Sequence, residues 1–196
     1  MSYAYKTMKS PVGTLKLVAS DAGLAAILWE NDDPHRVRIV APAEDKHHPV
    51  LVEAERQLGE YLAGRRQVFS VKLACRGTPF QMKVWQALVK IPFGQTRTYG
   101  QLARQLGNPA ASRAVGAAIG RNPISIICPC HRVIGSSGKL TGFAGGLETK
   151  ALLLRLEAEN VGEQAAGKKS TGKKSAGKKS AGKTATRARA QLQETA

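Results

Sequence analysis

Acidic residues are scarce in this sequence. Its 196 residues include 14 Asp and Glu against 30 Lys and Arg, which gives a formal net charge of +16 at pH 7. A protein this basic attracts polyanions, and nucleic acid is the first candidate partner. Long apolar runs are missing as well, because no segment approaches the roughly 20 apolar residues that a membrane-spanning helix needs. The composition therefore argues against a membrane protein and predicts a soluble, intracellular protein that binds nucleic acid.

Cysteine is rare too, with only Cys75, Cys128 and Cys130 in the chain. An odd number of cysteines, without the apolar core of a signal peptide, predicts a protein of the reducing cytosol. A zinc site at Cys128 and Cys130 would need a second ligand pair at suitable spacing, and only Cys75 remains. The histidines near residues 35–48 lie in a polar loop without cysteines, so we expect them to be solvated. We predict no metal and no cofactor.

The first 75 residues predict a small α/β unit. Apolar residues alternate with others over residues 3–29 and two turns interrupt them, a pattern typical of a three-stranded antiparallel sheet. A further short strand is possible at residues 37–40, and the alternation at residues 69–73 predicts one more. Between them, apolar residues recur at spacings of three and four from Leu51 to Leu62, as in an amphipathic helix that Gly64 ends. We find no chemistry here and interpret residues 1–75 as a scaffold.

Residues 76–161 predict a second, mostly helical unit. Thr78 precedes a proline at the start of one helix, and Thr98 forms a capping box with Gln101 at the start of the next. Gly107-Asn108-Pro109 should stop that helix and cap another, which gives a helix-turn-helix of winged-helix-like type. The second of these helices is unusual, because small residues fill it and Arg113 is its one long polar side chain. A thin helix of this kind can enter the minor groove of DNA, although packing against a neighbouring helix explains some of the alanines.

The stretch from Ile126 to Val133 holds the candidate chemistry. Cys130 and His131 are adjacent after a proline. A thiol is a nucleophile only as thiolate, and a nearby imidazole can take its proton directly or through a water. A lone cysteine is more often a small buried apolar residue. The pair therefore marks a candidate nucleophile and base, and the context must decide between the two interpretations.

Pro129-Cys130-His131-Arg132-Val133 resembles the active-site signature of the O6-alkylguanine-DNA alkyltransferases, also called methylated-DNA–protein-cysteine methyltransferases. Arg121-Asn122-Pro123 upstream and residues 138–146 downstream match further blocks of that family in the same order. The resemblance is specific from residue 77 to residue 159, weaker from residue 3 to residue 73, and absent from the tail. It implies an α/β N-terminal domain, a helix-turn-helix catalytic domain and double-stranded DNA containing O6-alkylguanine as the partner.

The resemblance also implies the catalytic roles. Cys130 would attack the alkyl carbon in an irreversible, single-turnover transfer, and His131 would deprotonate it. Glu157 matches the acid that orients the histidine, and Tyr99 matches the phenol that donates a proton to the departing guanine. No metal or cofactor is implied.

The remaining matches concern DNA and the pocket. Arg113 matches the residue that replaces the flipped base in the stack, on a helix whose small residues Ala110, Ala114 and Gly116 would face DNA. The positions matching the family's pocket and its support are Asn122, Ser125, Val133 and Ala144. Two departures from familiar members are Ser125, where some have proline, and Cys128, where an aliphatic residue is usual. We expect Cys128 to be buried and unreactive.

From residue 162 the sequence changes to a repeat of Gly, Lys and Ser, with a net charge of +7 from Glu163 onward. Such a segment has no apolar face to bury, which predicts a disordered tail at residues 162–196 that contacts phosphates non-specifically. We expect a monomer in the cytoplasm, associated with the nucleoid. Two other hypotheses stay open at this point: a lesion-binding protein without chemistry, and a nucleoid-associated DNA-binding protein.

Overall fold

The computed structural model describes residues 2–170, with side chains as far as Val161. Its first unit is a four-stranded sheet in the order β3-β2-β1-β4. The strands are β1 (Ala4–Ser10), β2 (Gly13–Ser20), β3 (Gly23–Trp29) and β4 (Ala43–Glu44). β1, β2 and β3 form the predicted antiparallel meander, and β4 pairs parallel with β1. The meander prediction is confirmed.

The possible strand at residues 37–40 is wrong, because that segment is irregular and the extra strand lies at Ala43–Glu44. Val40 is 84% exposed, so the alternation there has no buried face to satisfy. The chain just before it is held by Arg36, whose buried guanidinium bonds to Asp32 and to the backbone oxygens of Ile27 and Asn122. A side chain anchored in the interior, rather than a neighbouring strand, fixes this segment.

Helix α1 (Pro49–Leu62) packs on the sheet as the periodicity predicts, and Gly64 follows it with a φ of +73°. The strand predicted at residues 69–73 is reduced to one isolated bridge between Leu73 and Leu24. Just before that bridge, the backbone N–H of Ser70 donates to the side-chain oxygen of Gln57 in α1 (2.8 Å). A helix side chain therefore takes the place that a partner strand would have filled.

The second unit contains α2 (Pro79–Val89), β5 (Arg97–Thr98), α3 (Tyr99–Gln105), α4 (Ser112–Gly120), β6 (Val133–Ile134) and α5 (Gly146–Ser170). Both predicted helix starts are confirmed, since Thr78 and Thr98 each form a reciprocal capping box with the Gln three residues on. Asn108 makes no side-chain cap, because a 3-10 turn at Pro109–Ala111 lies between it and α4. Trp85 is buried and donates to the carbonyl of Ala118 (2.9 Å), which ties α2 to α4.

Helix α5 continues to Ser170, past the tail boundary predicted at residue 162. The reason is local, since the segment after Glu163 begins with Gln, Ala and Ala, which favour helix. The prediction of disorder for residues 171–196 lies outside the described residues.

The two units share one hydrophobic core, to which α1, α2, α4 and β3 all contribute. They also join through the backbone, because Ile27 N–H in β3 donates to the carbonyl of Pro123 (2.8 Å) just before the Cys130 stretch. This contact places the first unit directly behind the segment that carries the candidate nucleophile.

Within residues 2–170, the structure contains no helix suited to crossing a membrane.

Candidate active site

Cys130 lies in a buried 3-10 turn, Cys130–Arg132, between α4 and β6. The turn is held by Asn122, whose side-chain nitrogen donates to the carbonyl of Cys128 (2.8 Å) while its oxygen accepts from Ile124 N–H (3.1 Å). Ile126 has a φ of +73°, a conformation that β-branched residues rarely adopt. The backbone before the cysteine is thus bent sharply and fixed by a buried amide.

His131 and Glu157 form a buried pair. Nε2 of His131 lies 2.8 Å from Oε1 of Glu157, and both side chains are fully buried. Because a carboxylate only accepts, Nε2 carries the ring proton and Nδ1 is left with its lone pair. Among the described residues Nδ1 has no hydrogen-bond partner. The imidazole is therefore oriented through one nitrogen and available as a base through the other.

Three residues besides His131 donate hydrogen bonds to the carboxylate of Glu157. Arg132 donates to both oxygens (2.9 Å each), and the backbone N–H of Gly94 donates to Oε2 (2.8 Å). Tyr61 donates its hydroxyl to Oε1 (2.6 Å). Burial alone would raise the pKa of Glu157, but the hydrogen bonds from His131 and Arg132 outweigh it and hold the pKa at about 2. The carboxylate stays ionised at neutral pH.

The resting state of the pair at the turn is neutral. Burial lowers the pKa of His131, against the opposing effect of Glu157. Burial raises the pKa of the Cys130 thiol, while the side chains of Asn122 and Ser125 and the charges of Arg36 and Lys150 act in the opposite direction. The thiol therefore needs a base to become a nucleophile, and the imidazole is the base at hand.

A cleft of about 390 Å³ opens at Cys130. Of the residues predicted for the site, it is lined by Tyr99, Gly116, Asn122, Ser125 and Ala144. The Tyr99 hydroxyl accepts a hydrogen bond from Thr141 (3.1 Å) at the rim. The opposite wall comes from the first unit, through the loop at residues 31–33 and Arg36. The cleft thus brings the Cys130 thiol, the Tyr99 phenol and the loop at residues 142–144 together in one space.

Other predicted residues lie outside the cleft. Arg113, Ala110 and Ala114 are exposed at and just before the start of α4. Val133 is fully buried in β6 and pairs with Arg97. Cys128 is buried as expected, its thiol faces the carbonyl of Trp85 (3.4 Å), and burial raises its pKa well above the usual value. The predicted DNA-contacting residues at α4 are thus exposed, whereas the residues around the Cys130 turn are buried.

Several residues that contact the site could not be predicted from the sequence. Tyr61 reaches Glu157, and Trp29 donates from Nε1 to the hydroxyl of Ser125 (3.3 Å), although both belong to the unit interpreted as a scaffold. Arg36 bonds to the carbonyl of Asn122, and Lys150 is buried with its Nζ on the carbonyl of Thr141 (2.6 Å). Only Arg132, within the cysteine motif, carried a signal in the sequence. The first unit is more than a scaffold, because its side chains touch the groups around the nucleophile.

Comparison with known proteins matches both units in turn. Residues 3–75 match the family described as 6-O-methylguanine DNA methyltransferase, ribonuclease-like domain, and residues 79–159 match 6-O-methylguanine DNA methyltransferase, DNA binding domain. A methylated-DNA–protein-cysteine methyltransferase of Methanosarcina acetivorans is 49% identical over 154 residues, which cover 78% of this chain and 97% of the relative. The constitutive enzyme of that name from Bacillus subtilis is 45% identical, with coverage of 80% and 96%.

Two solved structures are also similar to this chain over most of its length. The crystal structure of Mycobacterium tuberculosis OGT in complex with DNA superposes with a TM-score of 0.73 at 44% identity, covering 82% of this chain and 94% of the other. That of Mycobacterium tuberculosis O6-methylguanine methyltransferase gives a TM-score of 0.72 at 45% identity, covering 81% and 94%.

A helix-turn-helix beside a buried Cys-His-Glu arrangement defines a class, the proteins that pair DNA recognition with a cysteine nucleophile. Within that class, the chain belongs to the 6-O-methylguanine DNA methyltransferase family.

Proposed function

We propose that this protein repairs DNA by direct reversal, moving the alkyl group of O6-alkylguanine in duplex DNA permanently to the sulfur of its own Cys130. Its relatives are named methylated-DNA–protein-cysteine methyltransferases. The observation that carries the proposal is that Cys130 lines the cleft while the imidazole of the next residue, His131, is oriented by the buried carboxylate of Glu157. A lesion-binding protein without chemistry would have no need of this arrangement.

DNA binding is assigned to α3 and α4. Ala110, Ala114 and Gly116 keep α4 thin, so that it can approach the floor of the minor groove. The target base must leave the stack before its O6 substituent can reach Cys130, at a cost of a few kcal/mol. Arg113 is exposed at the start of α4 and is the residue that would fill the space left by the flipped base.

The chemical step is an in-line displacement at the alkyl carbon. Nδ1 of His131 takes the thiol proton, directly or through a water, and Glu157 stabilises the imidazolium that forms. The thiolate sulfur then forms a bond to the alkyl carbon as the bond from that carbon to O6 breaks. The electron pair of the broken bond stays with the guanine.

The departing guanine needs a proton, because its anion is a poor leaving group. Tyr99 lines the cleft and is the donor we assign. The backbone at Val133 and Ala144 would read the edge of the base, while Asn122 and Ser125 hold the turn that carries the nucleophile. The product is a thioether that water does not hydrolyse, so each molecule acts once and uses no cofactor.

We also propose that the protein works as a monomer on DNA, in the cytoplasm at the nucleoid, and that its basic tail contacts phosphates without sequence preference. The excess of basic over acidic residues supports the phosphate contacts of the tail.

The test is mass spectrometry after incubation with duplex DNA bearing one O6-methylguanine. We expect a gain of one methyl group per protein molecule, located on Cys130 by peptide mapping. Cys130→Ser should lose the transfer and still bind the lesion, while the matched variant Cys128→Ser should transfer normally. A methyl group on Cys128, or transfer by Cys130→Ser, would contradict the assignment.

A further inference from the structure

Tyr61 is a buried residue of α1, far in sequence from the motif that holds the nucleophile. Its side chain is fully buried, and its ring packs against Phe69 and Phe93 with centroid separations of 5.3 and 6.1 Å. The hydroxyl lies 2.6 Å from Oε1 of Glu157 and 3.3 Å from Nε2 of His131. The phenol of Tyr61 thus forms a triangle with His131, the base, and with Glu157, the carboxylate that orients it.

The hydroxyl has a defined role in this triangle. Burial and the neighbouring carboxylate raise the pKa of Tyr61 far above its usual value, so the phenol keeps its proton. It therefore donates to Glu157, and it shares Oε1 with Nε2 of His131. A donor on Oε1 disperses the negative charge of the carboxylate. The more that charge is dispersed, the less it stabilises a proton on His131.

We propose that Tyr61 is a positioning residue for alkyl transfer, which fixes the carboxylate of Glu157 and thereby sets the orientation and basicity of His131. This inference rests on the proposed function, since it concerns the base of that reaction. It gives the N-terminal unit a direct part in the chemistry, through a side chain that touches neither DNA nor the alkyl group.

The other charged and titratable groups around His131 are few among the described residues. Arg132, its neighbour in sequence, and Lys150 of α5 both disfavour a positive imidazole, while Glu157 of α5 favours it. Cys130 adjoins it in the turn. Tyr61 is the contribution of α1. Removing its hydroxyl leaves each of these groups in place and changes only how strongly Glu157 holds the imidazolium.

Tyr61→Phe is the test, because it keeps the ring and its packing. With one donor fewer, Glu157 stabilises protonated His131 more, so the pKa of His131 rises. Since protonated His131 is no base, the acid limb of the pH–rate profile should move to higher pH, by roughly half a unit to one unit. The rate on the plateau should fall by roughly tenfold, because the carboxylate that orients His131 loses a fixed donor and the base is then less well positioned.

The measurement is the single-turnover rate constant with excess O6-benzylguanine as free base, from pH 5 to 9. Under excess substrate the rate constant does not depend on how much protein is folded, and the amplitude reports the folded fraction. Tyr5→Phe, which removes a hydroxyl from β1 away from the cleft, is the matched control and should leave both limb and plateau unchanged.

An unshifted acid limb in active Tyr61→Phe would overturn the inference, even if the amplitude drops, because a merely structural role lowers amplitude alone. Lack of transfer by the wild type would instead sink the proposed function. If Tyr61→Phe yields no folded protein, 3-fluorotyrosine incorporated at position 61 keeps every contact and donates more strongly. The acid limb should then move to lower pH, and a limb that stays in place or moves upward would contradict the inference.

Discussion

Trp29 donates from its indole nitrogen to the hydroxyl oxygen of Ser125 across 3.3 Å, so a residue of the sheet holds the edge of the Cys130 cleft from 96 positions away. The indole also packs edge-on against Phe143, with ring centroids 5.4 Å apart. Gly145 lies so close that a Cβ there would fall 2.8 Å from the Trp29 ring. The cleft wall therefore depends on a close approach between a backbone and a tryptophan.

Gly145→Ala should displace Trp29 or the loop that carries Ala144. Overpacking of this kind costs about 1–3 kcal/mol, and the disturbed cleft should slow transfer. Chemical denaturation and the rate with free O6-benzylguanine measure the two effects. Gly59→Ala is the control: a Cβ there meets nothing within 4 Å, so we expect a gain of about 0.5–1 kcal/mol with an unchanged rate. Equal stability and equal rate in Gly145→Ala and wild type would show that the cleft wall accommodates the added methyl group without cost.

Arg113→Ala should separate base flipping from chemistry. Flipping costs a few kcal/mol, and in the role proposed for it Arg113 would offset part of that cost, so repair of duplex DNA should slow by about tenfold or more. Reaction with the free base needs no flipping and should change by less than about twofold. Arg155→Ala, an exposed arginine on α5, is the control for loss of charge. Equal losses of rate on duplex DNA and on the free base would show that Arg113 does not fill the space left by the flipped base.

Stability should fall as the solution is acidified. The pKa of Glu157 is lowered from 4.5 to about 2 in the folded protein, so the unfolded chain binds more protons below about pH 5. The pKa of buried His131 is also lowered, which extends the loss upward to about pH 6.5. The free energy of unfolding should thus be highest near pH 7 and decline toward pH 2, with Glu157 contributing about 3 kcal/mol of the loss. It should also decline above about pH 8.5, where cysteines of the unfolded chain ionise while burial raises the pKa of the Cys128 and Cys130 thiols.

Urea denaturation across that pH range checks this prediction. Glu157→Gln should be less stable at pH 7, by about 3–5 kcal/mol, because it leaves Arg132 buried without its partner. Its stability should then depend less on pH below pH 4.5. Glu159→Gln, at an exposed position on the same helix, should follow the wild-type curve. A Glu157→Gln curve parallel to the wild type would contradict the assigned cause.

The tail should change the salt dependence of DNA binding. Nine cations follow Glu163, and counterion release gives a slope of log K against log salt of about −0.9 per phosphate neutralised. If roughly four of them engage phosphates at once, a chain cut after Gly162 should show a slope shallower by about 3 to 4 units. The reaction with free base should not change. Superimposable slopes would make the tail an inert solubiliser.

The sequence predicts local features of this fold well, because they depend on near neighbours. The capping boxes at Thr78 and Thr98, the helix at residues 49–62 and the meander of β1 to β3 are all confirmed. The strand predicted at residues 69–73 is reduced to one bridge with β3, and Gln57 takes the backbone N–H of Ser70. That competition depends on how α1 docks, which no local pattern encodes.

The candidate site divides in the same way. His131, Glu157 and Cys130 follow from an ordered motif, and the structure places His131 against Glu157 as the resemblance implies. Tyr61 and Trp29 look like ordinary core aromatics in the sequence, since their spacing fits a helix face and a strand. The Tyr61 hydroxyl and the Trp29 indole nitrogen form hydrogen bonds with Glu157 and Ser125, each 96 residues later in the chain, and no local pattern reveals these contacts. Pattern analysis identifies residues that act together along the chain and misses those that meet only on folding.

The buried triangle of Tyr61, His131 and Glu157 has a consequence for the order in which the chain matures. Its members come from α1, from the cysteine turn and from α5, so it closes only when contacts of long sequence separation form, which are slow to assemble. During synthesis Cys130 leaves the ribosome well before Glu157 does. Until α5 docks, the thiol has neither an oriented base nor a completed wall. A chain in which α5 has not yet docked therefore lacks the arrangement proposed for alkyl transfer.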